Sequence, residues 1–568
     1  MKKYIVESLF LSALAIFHIV FWSVLHYGFL NYAYSNAYFD ISFEFFADAL
    51  NYCHLTQYIE NFLLAFFRWH WLGTIILFIP ILGIYFITRA ILKTLNLSSL
   101  KLLAFFPAIL MMSCQYLEHF FLQKSLVVLF ITIAIYIHIL LKDSKIRFVL
   151  LFGVLFTLLF FSRLEFAILC VALLIVELLL SSDKQRYILA IFYLIFAFIS
   201  FVFYIKNLPN APLFRVEMPI QIGAQVLLIL LFIVFSKFEK KLNNLFLNKR
   251  NWLLIMLVIS FFSVLFISND ELEKKELLAR LDLALLDDDT DKILLLTNKE
   301  NVENQEDFYP YIFYALAQKG QLAQKLFQYK VNVSNFLPEA LPTYANSKSV
   351  LSVCFYEKLG LLNEAMHQAY QMGISCNRGD TFRSLCLLVD LNIARGDYRL
   401  VEKYLAKLAQ TLVHDDFVCS RKEMLCSMQQ TAKNEVDFKD YLYINKDQFL
   451  NISYALFLAK KESTFVKDYF LCSLLLTGEF EGFCSSYKEV ESAVKCNKRI
   501  YAEALVMARD MGIYDSNLVV SDKVEQDWIL FKTILGNQWL SKKEKEKRFS
   551  LYRNTWWYYY LKEYEHLF

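Results

Sequence analysis

Long apolar runs fill the first half of the chain and stop near residue 268; beyond that point shorter apolar stretches recur at helical spacing between charged positions. Nine runs approach the roughly 20 residues that a helix needs to cross a ~30 Å hydrocarbon core. They lie at 4–27, 71–92, 102–118, 125–141, 148–162, 166–181, 187–205, 218–236 and 252–268. The pattern predicts an all-α protein. Residues 1–268 form a polytopic transmembrane helix bundle, and residues 269–568 form a soluble helical-repeat domain.

Two stretches strain simple crossings. Residues 148–181 are almost continuously apolar, broken only by Ser162-Arg163-Leu164-Glu165, and flanked on both sides by cations. Each arm of the implied hairpin has about 15 residues, or roughly 22 Å of helix, which is shorter than the bilayer core. The hairpin is therefore re-entrant or sits where the membrane thins, with Arg163 and Glu165 at its tip. The 102–141 stretch behaves alike, with a tip around Gln115–Lys124 that holds Glu118 and His119.

Cations set the orientation, because Lys and Arg flanking short loops stay in the cytoplasm. One set of loops carries 15 (from Lys2 and Lys3 through Lys142, Lys145, Arg147, Lys184 and Arg186 to Arg250), the opposite set only Arg68, Lys124, Arg163, Lys206 and Arg215. This predicts a cytoplasmic N-terminus, and nine crossings place the second half outside the cytoplasm. The first run is too long for a cleavable signal, and His26-Tyr27-Gly28 has no small-x-small site, so it is expected to remain as an anchor.

In the second half, Gly320, Gly360, Gly396, Gly478 and Gly512 punctuate the helical pattern at 40, 36, 82 and 34 residues. Glycine suits the left-handed cap of a tight helix–helix turn. A period in the high thirties fits a tetratricopeptide-like α-solenoid; a single irregular bundle is the alternative. Ala365 and Ala369 follow Gly360 where close packing needs small residues, while Val401 and Leu405 hold those places after Gly396. The closing Thr555-Trp-Trp-Tyr-Tyr-Tyr560 is too aromatic to float in water, and is expected to pack back on the domain or on the membrane surface.

Composition agrees with a membrane-embedded helical chain: 57% hydrophobic residues, mean hydropathy +0.40, and 14 glycines in 568 residues. A net charge of +3 without a clustered basic face argues against nucleic acid. The first external loop, Gly28–Trp69, holds Asp40, Glu44 and Asp48 at four-residue spacing, which on a helix stacks three carboxylates on one face. Such a stack fits a divalent-metal or general-base site facing a lipid-borne substrate, or simply the wet face of an interfacial helix. Glu60, Arg68 and His70 follow among aromatics, as a substrate-binding group or an interfacial anchor. Arg163 beside Glu165 fits a phosphate-binding tip or a self-neutralising pair. Glu118 and His119 fit a metal site or, more simply, a plain polar loop.

No phosphate-binding G-x-x-x-x-G-K-[ST], G-x-S-x-G, H-E-x-x-H or C-x-x-C motif is present, so no cofactor is evident. A divalent metal enters only if the loop acids are catalytic. Eight of eleven cysteines fall in the second half, several inside apolar patterns that suit buried thiols.

Asn363-Glu-Ala, the Leu391–Thr411 stretch around Gly396-Asp-Tyr, and Asn554-Thr-Trp-Trp-Tyr-Tyr-Tyr resemble a domain-of-unknown-function family of bacterial multi-pass membrane proteins. Tyr58–Gly73 and Phe106-Pro-Ala-Ile-Leu are similar to its membrane half. The resemblance implies a bacterial inner-membrane location and assigns no activity. More distantly, the membrane half resembles the multi-pass (GT-C-type) glycosyltransferases that take sugars from polyprenyl phosphates, which carry acids in the first external loop. This chain lacks the adjacent acid pair common there. Two readings follow. One is a bilayer-anchored module whose repeat domain binds an envelope protein or peptide. The other is a transferase for a lipid-linked sugar, with Asp40, Glu44 or Asp48 as base or metal ligand and Arg163 on the phosphate. A transporter ranks third, as no inverted repeat is visible.

Overall fold

The computed structural model describes residues 2–51, 55–115, 122–141, 143–156, 163–180, 185–206, 214–236, 270–297, 308–336, 348–375, 380–431, 457, 463–490, 496, 498–514, 519–537 and 542–564. Helices make up almost all of them, and no strand occurs among the described residues. The chain divides into two compact units. Unit 1 comprises Met1–Glu276 with Leu405–Lys422; unit 2 comprises Leu277–Tyr404 with Glu423–Phe568.

Unit 1 opens with the Lys2–Ile19 helix, which runs on as a π-helix over Val20–Leu25. Short helices follow at Tyr27–Ser35, Phe43–Asn51 and Leu55–Leu64, then longer ones at His70–Thr94, Phe105–Gln115, Leu122–Leu140, Ser144–Phe156, Arg163–Leu180, Arg186–Lys206 and Phe214–Ser236. Helix therefore covers eight of the nine apolar runs, and 252–268 lies outside the described residues. Among the described residues three helical stretches are long and apolar enough to cross a membrane: Glu7–Leu25, His70–Thr94 and Leu122–Leu140. Lys101–Gln115, Arg186–Val202 and Ile222–Val234 are shorter apolar helices.

These helices turn apolar side chains outward. Ile75, Ile79, Phe86, Ile191, Leu194 and Phe198 are all exposed, an arrangement that water would penalise by roughly 25 cal/mol per Å² and that lipid tolerates. Several polar groups inside are paired. Gln115 Nε2 donates to the Leu77 carbonyl and to Ser125 Oγ, both at 3.0 Å, and the Ser23 and Thr74 hydroxyls bond at 2.8 Å. The buried Glu276 carboxylate accepts the Gly28 and Phe29 amides at 2.9 and 2.7 Å, capping the Tyr27–Ser35 helix where its unpaired N–H groups point.

Unit 2 repeats one local device. Gly320, Gly360, Gly396, Gly478 and Gly512 all lie in the left-handed region, with φ of 64°, 80°, 79°, 77° and 73°. Four of them join tight helix pairs: Tyr309–Gln318 to Leu322–Lys325, Lys348–Leu359 to Leu362–Ser375, Phe382–Arg395 to Tyr398–Leu408, and Thr464–Leu476 to Phe480–Val490. Gly512 ends the Arg499–Asp510 helix, and the next described helix is Asp522–Gly536. Asp288, at φ 52°, fills the same place between Asp270–Leu286 and Thr290–Leu296. Each turn is closed by the amide one residue past the left-handed position, bonded back five residues: Asp289 to Ala284, Gln321 to Leu316, Leu361 to Tyr356, Asp397 to Asn392, Glu479 to Leu474 and Ile513 to Ala508, at 2.8–3.0 Å. This pattern satisfies carbonyls that a helix end leaves orphaned.

The core of unit 2 holds ion pairs and aromatics. Asp282 and Arg383 pair at 3.0 Å with both side chains at most 1% exposed, and the Tyr311 hydroxyl donates to Asp282 at 2.7 Å. The closing aromatic stretch packs back into the core: Trp556 and Trp557 are buried in the Trp556–Glu563 helix. The Trp556 amide donates to Glu503 Oε2 at 2.7 Å and Trp557 Nε1 to the Glu503 carbonyl at 2.6 Å. No disulfide occurs among the described residues, and Cys354, Cys472, Cys484 and Cys496 are buried thiols.

Candidate functional site

Two of the predicted site residues, Glu60 and Glu165, converge on a residue that sequence reasoning counted only as an orienting cation. Lys124 and Glu165 occupy the first turns of the Leu122–Leu140 and Arg163–Leu180 helices, and Glu60 lies in Leu55–Leu64. Lys124 Nζ donates to Glu165 Oε1 at 2.6 Å, with both side chains largely buried. Glu60 Oε1 accepts the Gln123 amide at 3.0 Å, one of the donors that the start of a helix leaves free, and Gln123 Nε2 reaches Thr56 Oγ1 at 3.4 Å. Protein encloses Glu60, although part of its surface remains accessible. Burial, reinforced by the negative charge of Glu165, pushes its carboxyl up to about 7 against the opposing pull of the Gln123 amide and Lys124. A carboxyl poised near neutrality beside a fixed ammonium can take up or release a proton, as general acid–base chemistry requires.

Of the other predicted residues, Asp40, Arg68 and His70 make bonds within unit 1. The helix begins at Phe43, so Asp40 lies before it and does not stack with Glu44 and Asp48 as uniform helical spacing implies. Asp40 is buried; it accepts from the Tyr38 hydroxyl at 2.9 Å and from the Ser42 amide and hydroxyl at 2.9 and 2.5 Å. Glu44 and Asp48 point to the exterior. The three acids form no group suited to a metal ion, and no such group occurs among the described residues. Arg68 donates to the Val413 carbonyl and pairs with Asp416 at 3.2 Å. His70 Nε2 bonds the Asn31 side-chain nitrogen at 2.7 Å. The Arg163 side chain, Glu118 and His119 lie outside the described residues.

Arg68 thus ties down the Leu405–Lys422 segment of unit 1, which wraps the first loop. The Ile41 amide donates to the Gln410 carbonyl at 3.2 Å, and Lys407 lies over the Tyr38 ring. His414 stacks on Tyr34 with rings 4° from parallel, its Nε2 2.8 Å from the Tyr34 hydroxyl. Burial first, and the Arg68 charge second, bring the His414 imidazole down to about 4. No periodicity in the sequence announces this segment.

Two further ionisable clusters escaped the sequence reading. Glu7 accepts from the Tyr85 hydroxyl and pairs with Arg89 at 3.1 Å and Lys101 at 2.5 Å. Glu177, fully buried, meets Arg147 at 2.8 Å and His138 Nε2 at 2.8 Å, with the Tyr193 ring 6.0 Å from that of His138. The signal was available: Glu7 is the lone acid of its helix and Glu177 follows the uncharged run 166–176, costly placements that demand a partner.

The profile of a family of unknown function, DUF6057, matches residues 2–563. The chain belongs to this family. No curated protein and no solved structure matches it. The family assignment spans both units and carries no activity, so function rests on the geometry alone.

Proposed function

We propose that this chain is a multi-pass protein of a bacterial inner membrane, crossing it nine times from a cytoplasmic N-terminus, that presents a tetratricopeptide-like domain outside the cytoplasm to bind an envelope protein or peptide. The observation that carries this reading is the recurrence in unit 2 of helices closed by the same left-handed turn and the same backward hydrogen bond. Repetition of one helix-turn-helix unit is how helical arrays build an extended binding face. The interaction reading needs no catalytic residue, and it is consistent with Asp40 and Arg68 being spent on structural bonds.

One observation favours a second reading, a lipid-linked sugar transferase of GT-C type. Glu60, with its carboxyl raised to about 7 beside the Lys124–Glu165 pair, has the protonation behaviour expected of a general acid or base. It would replace the loop acids in that role.

Native mass spectrometry of the chain purified in mild detergent separates the two. A retained protein or peptide, released by substitutions on the surface of unit 2 and unaffected by Glu60→Gln, supports the interaction module. A retained polyprenyl phosphate or its sugar adduct that turns over in wild type and accumulates in Glu60→Gln would overturn it in favour of the transferase.

A further inference from the structure

A cavity of about 280 Å³ opens between the start of the Ser144–Phe156 helix and the start of the Arg186–Lys206 helix, lined by Lys145, Phe148, Gln185, Ile188 and Leu189. Its chemistry is split. Lys145 and Gln185 supply a cation and an amide, while Phe148, Ile188 and Leu189 supply an apolar wall. The cation is uncommitted: Lys145 has no ion-pair partner among the described residues. Its neighbour Arg147 is unlike it, being buried and neutralised by Glu177 through two bonds of 2.8 and 2.9 Å. Arg147 thus anchors the helix start, and Lys145 is left to face outward.

The apolar wall does not end at the cavity. Ile188, Ile191, Ile195 and Phe198, together with Leu194, continue along the same helix as exposed side chains. A ligand matching both parts has an anionic head for Lys145, a hydrogen-bonding linker for Gln185, and long hydrocarbon for the stripe beyond. Free phosphate would satisfy the first demand and leave the stripe bare.

We propose that this groove is a binding site for an anionic phospholipid, its headgroup phosphate held by Lys145 and Gln185 and its acyl chains lying along Ile188, Ile191 and Ile195. Cations at the ends of membrane helices attract anionic lipid with about 1 kcal/mol per charge near the surface, and basic pockets between such helices select particular headgroups. The site rests on the membrane reading of unit 1. It is independent of the Glu60 cluster, since it uses other residues.

The test is lipid retention by the full-length chain in native mass spectrometry, with phosphatidylglycerol and phosphatidylcholine offered in equal amounts. Wild type is expected to keep phosphatidylglycerol in preference. Lys145→Gln should lower that retention about fivefold, the loss of one near-surface charge. Lys145→Glu should lower it further and Lys145→Arg should preserve it. Ile188→Trp, which fills the groove without touching charge, should lower it as well. Lys93→Glu, at an exposed lysine of another helix end, serves as the control for general charge attraction and should lower retention far less than Lys145→Glu. Equal retention of both lipids, an unchanged Lys145→Glu, or an equal loss in Lys93→Glu would overturn the site while leaving the membrane reading intact. A chain that stays monomeric without detergent and keeps no lipid at all would overturn both.

Discussion

The two units are built from the same helix and distribute their charges differently. In unit 1 the helical stretches 72–88, 125–137 and 166–176 contain no charged residue, and ionisable groups gather at the ends: Glu7 with Arg89 and Lys101, Lys124 with Glu165, Arg147 with Glu177. In unit 2 charges run along the helices. Arg383, Asp390 and Arg395 share one of 14 residues, and Asp282 and Arg383 pair in the core. The outward faces invert accordingly: isoleucine, leucine and phenylalanine in the one, charged side chains between apolar core positions in the other. Burial of an ion pair is common to both. The surroundings of the rest of the helix distinguish them.

The largest effect should come from breaking a buried pair in unit 2. Arg383→Met leaves Asp282 buried without its cation, a loss of about 3–5 kcal/mol, whereas Asp282→Leu combined with Arg383→Met should recover most of it. Hydrogen exchange of the helices flanking residue 282 in the detergent-purified chain reads both. If the single and double variants exchange alike, the pair is not desolvated and the contrast between the units weakens.

Acidity should act in opposite directions on two segments, one in each unit. Glu503 in unit 2 is raised to about 7, chiefly by burial, so it contributes stability in full below its ordinary value near 4.5 and loses it as pH rises through 7. His414 in unit 1 is lowered to about 4, so its contribution is full above 6.5 and lost as pH falls through 4. Exchange in the Leu405–Lys422 segment, corrected for intrinsic rate, should therefore quicken from pH 7 to pH 5. Exchange in the Trp556–Glu563 helix should slow over the same interval. Glu60 has the sign of Glu503, which is why the readout must be local. His414→Phe keeps the stacking on Tyr34 and should abolish the first trend; Glu503→Gln should flatten the second. Parallel trends in the two segments would break the comparison.

Glycines give a smaller contrast. Gly396→Ala meets no atom within 4 Å, so its cost is the left-handed backbone alone, about 1–2 kcal/mol. Gly478→Ala should cost more, because its new Cβ would lie 2.8 Å from the Tyr564 ring. Thermal unfolding of unit 2 ranks the pair, and an inverted order would show that Tyr564 yields freely. The smallest change is a gain: Gly153→Ala, inside the Ser144–Phe156 helix of unit 1 and in open space, should add about 0.5–1 kcal/mol. A loss there would place something against that helix face.

Much of the helical framework was legible because it depends on local spacing. Apolar runs mark helices, and Gly320, Gly360, Gly396, Gly478 and Gly512 mark turns, since only glycine adopts φ near +75° without strain. Asp288 performs the same turn and was missed, because aspartate enters that region only with neighbours that hold it there. The candidate site was half legible. Glu60 and Glu165 stood out as charges among apolar residues, yet Lys124 is separated from them by 64 and 41 positions, and no spacing rule links such residues. Asp40 misled for the opposite reason: a four-residue spacing predicts a shared helix face, but Ser42 draws the carboxylate back before the helix begins at Phe43.

By itself the sequence determined where the long apolar runs fall, which glycines turn, and that the chain is helical, since hydropathy and backbone preference act over a few residues. Only the tertiary structure decided which ionisable groups meet, why Glu60 titrates near neutrality, and that Leu405–Lys422 belongs with the first half. Those properties arise from desolvation and pairing between distant positions, and neither exists until the chain has folded.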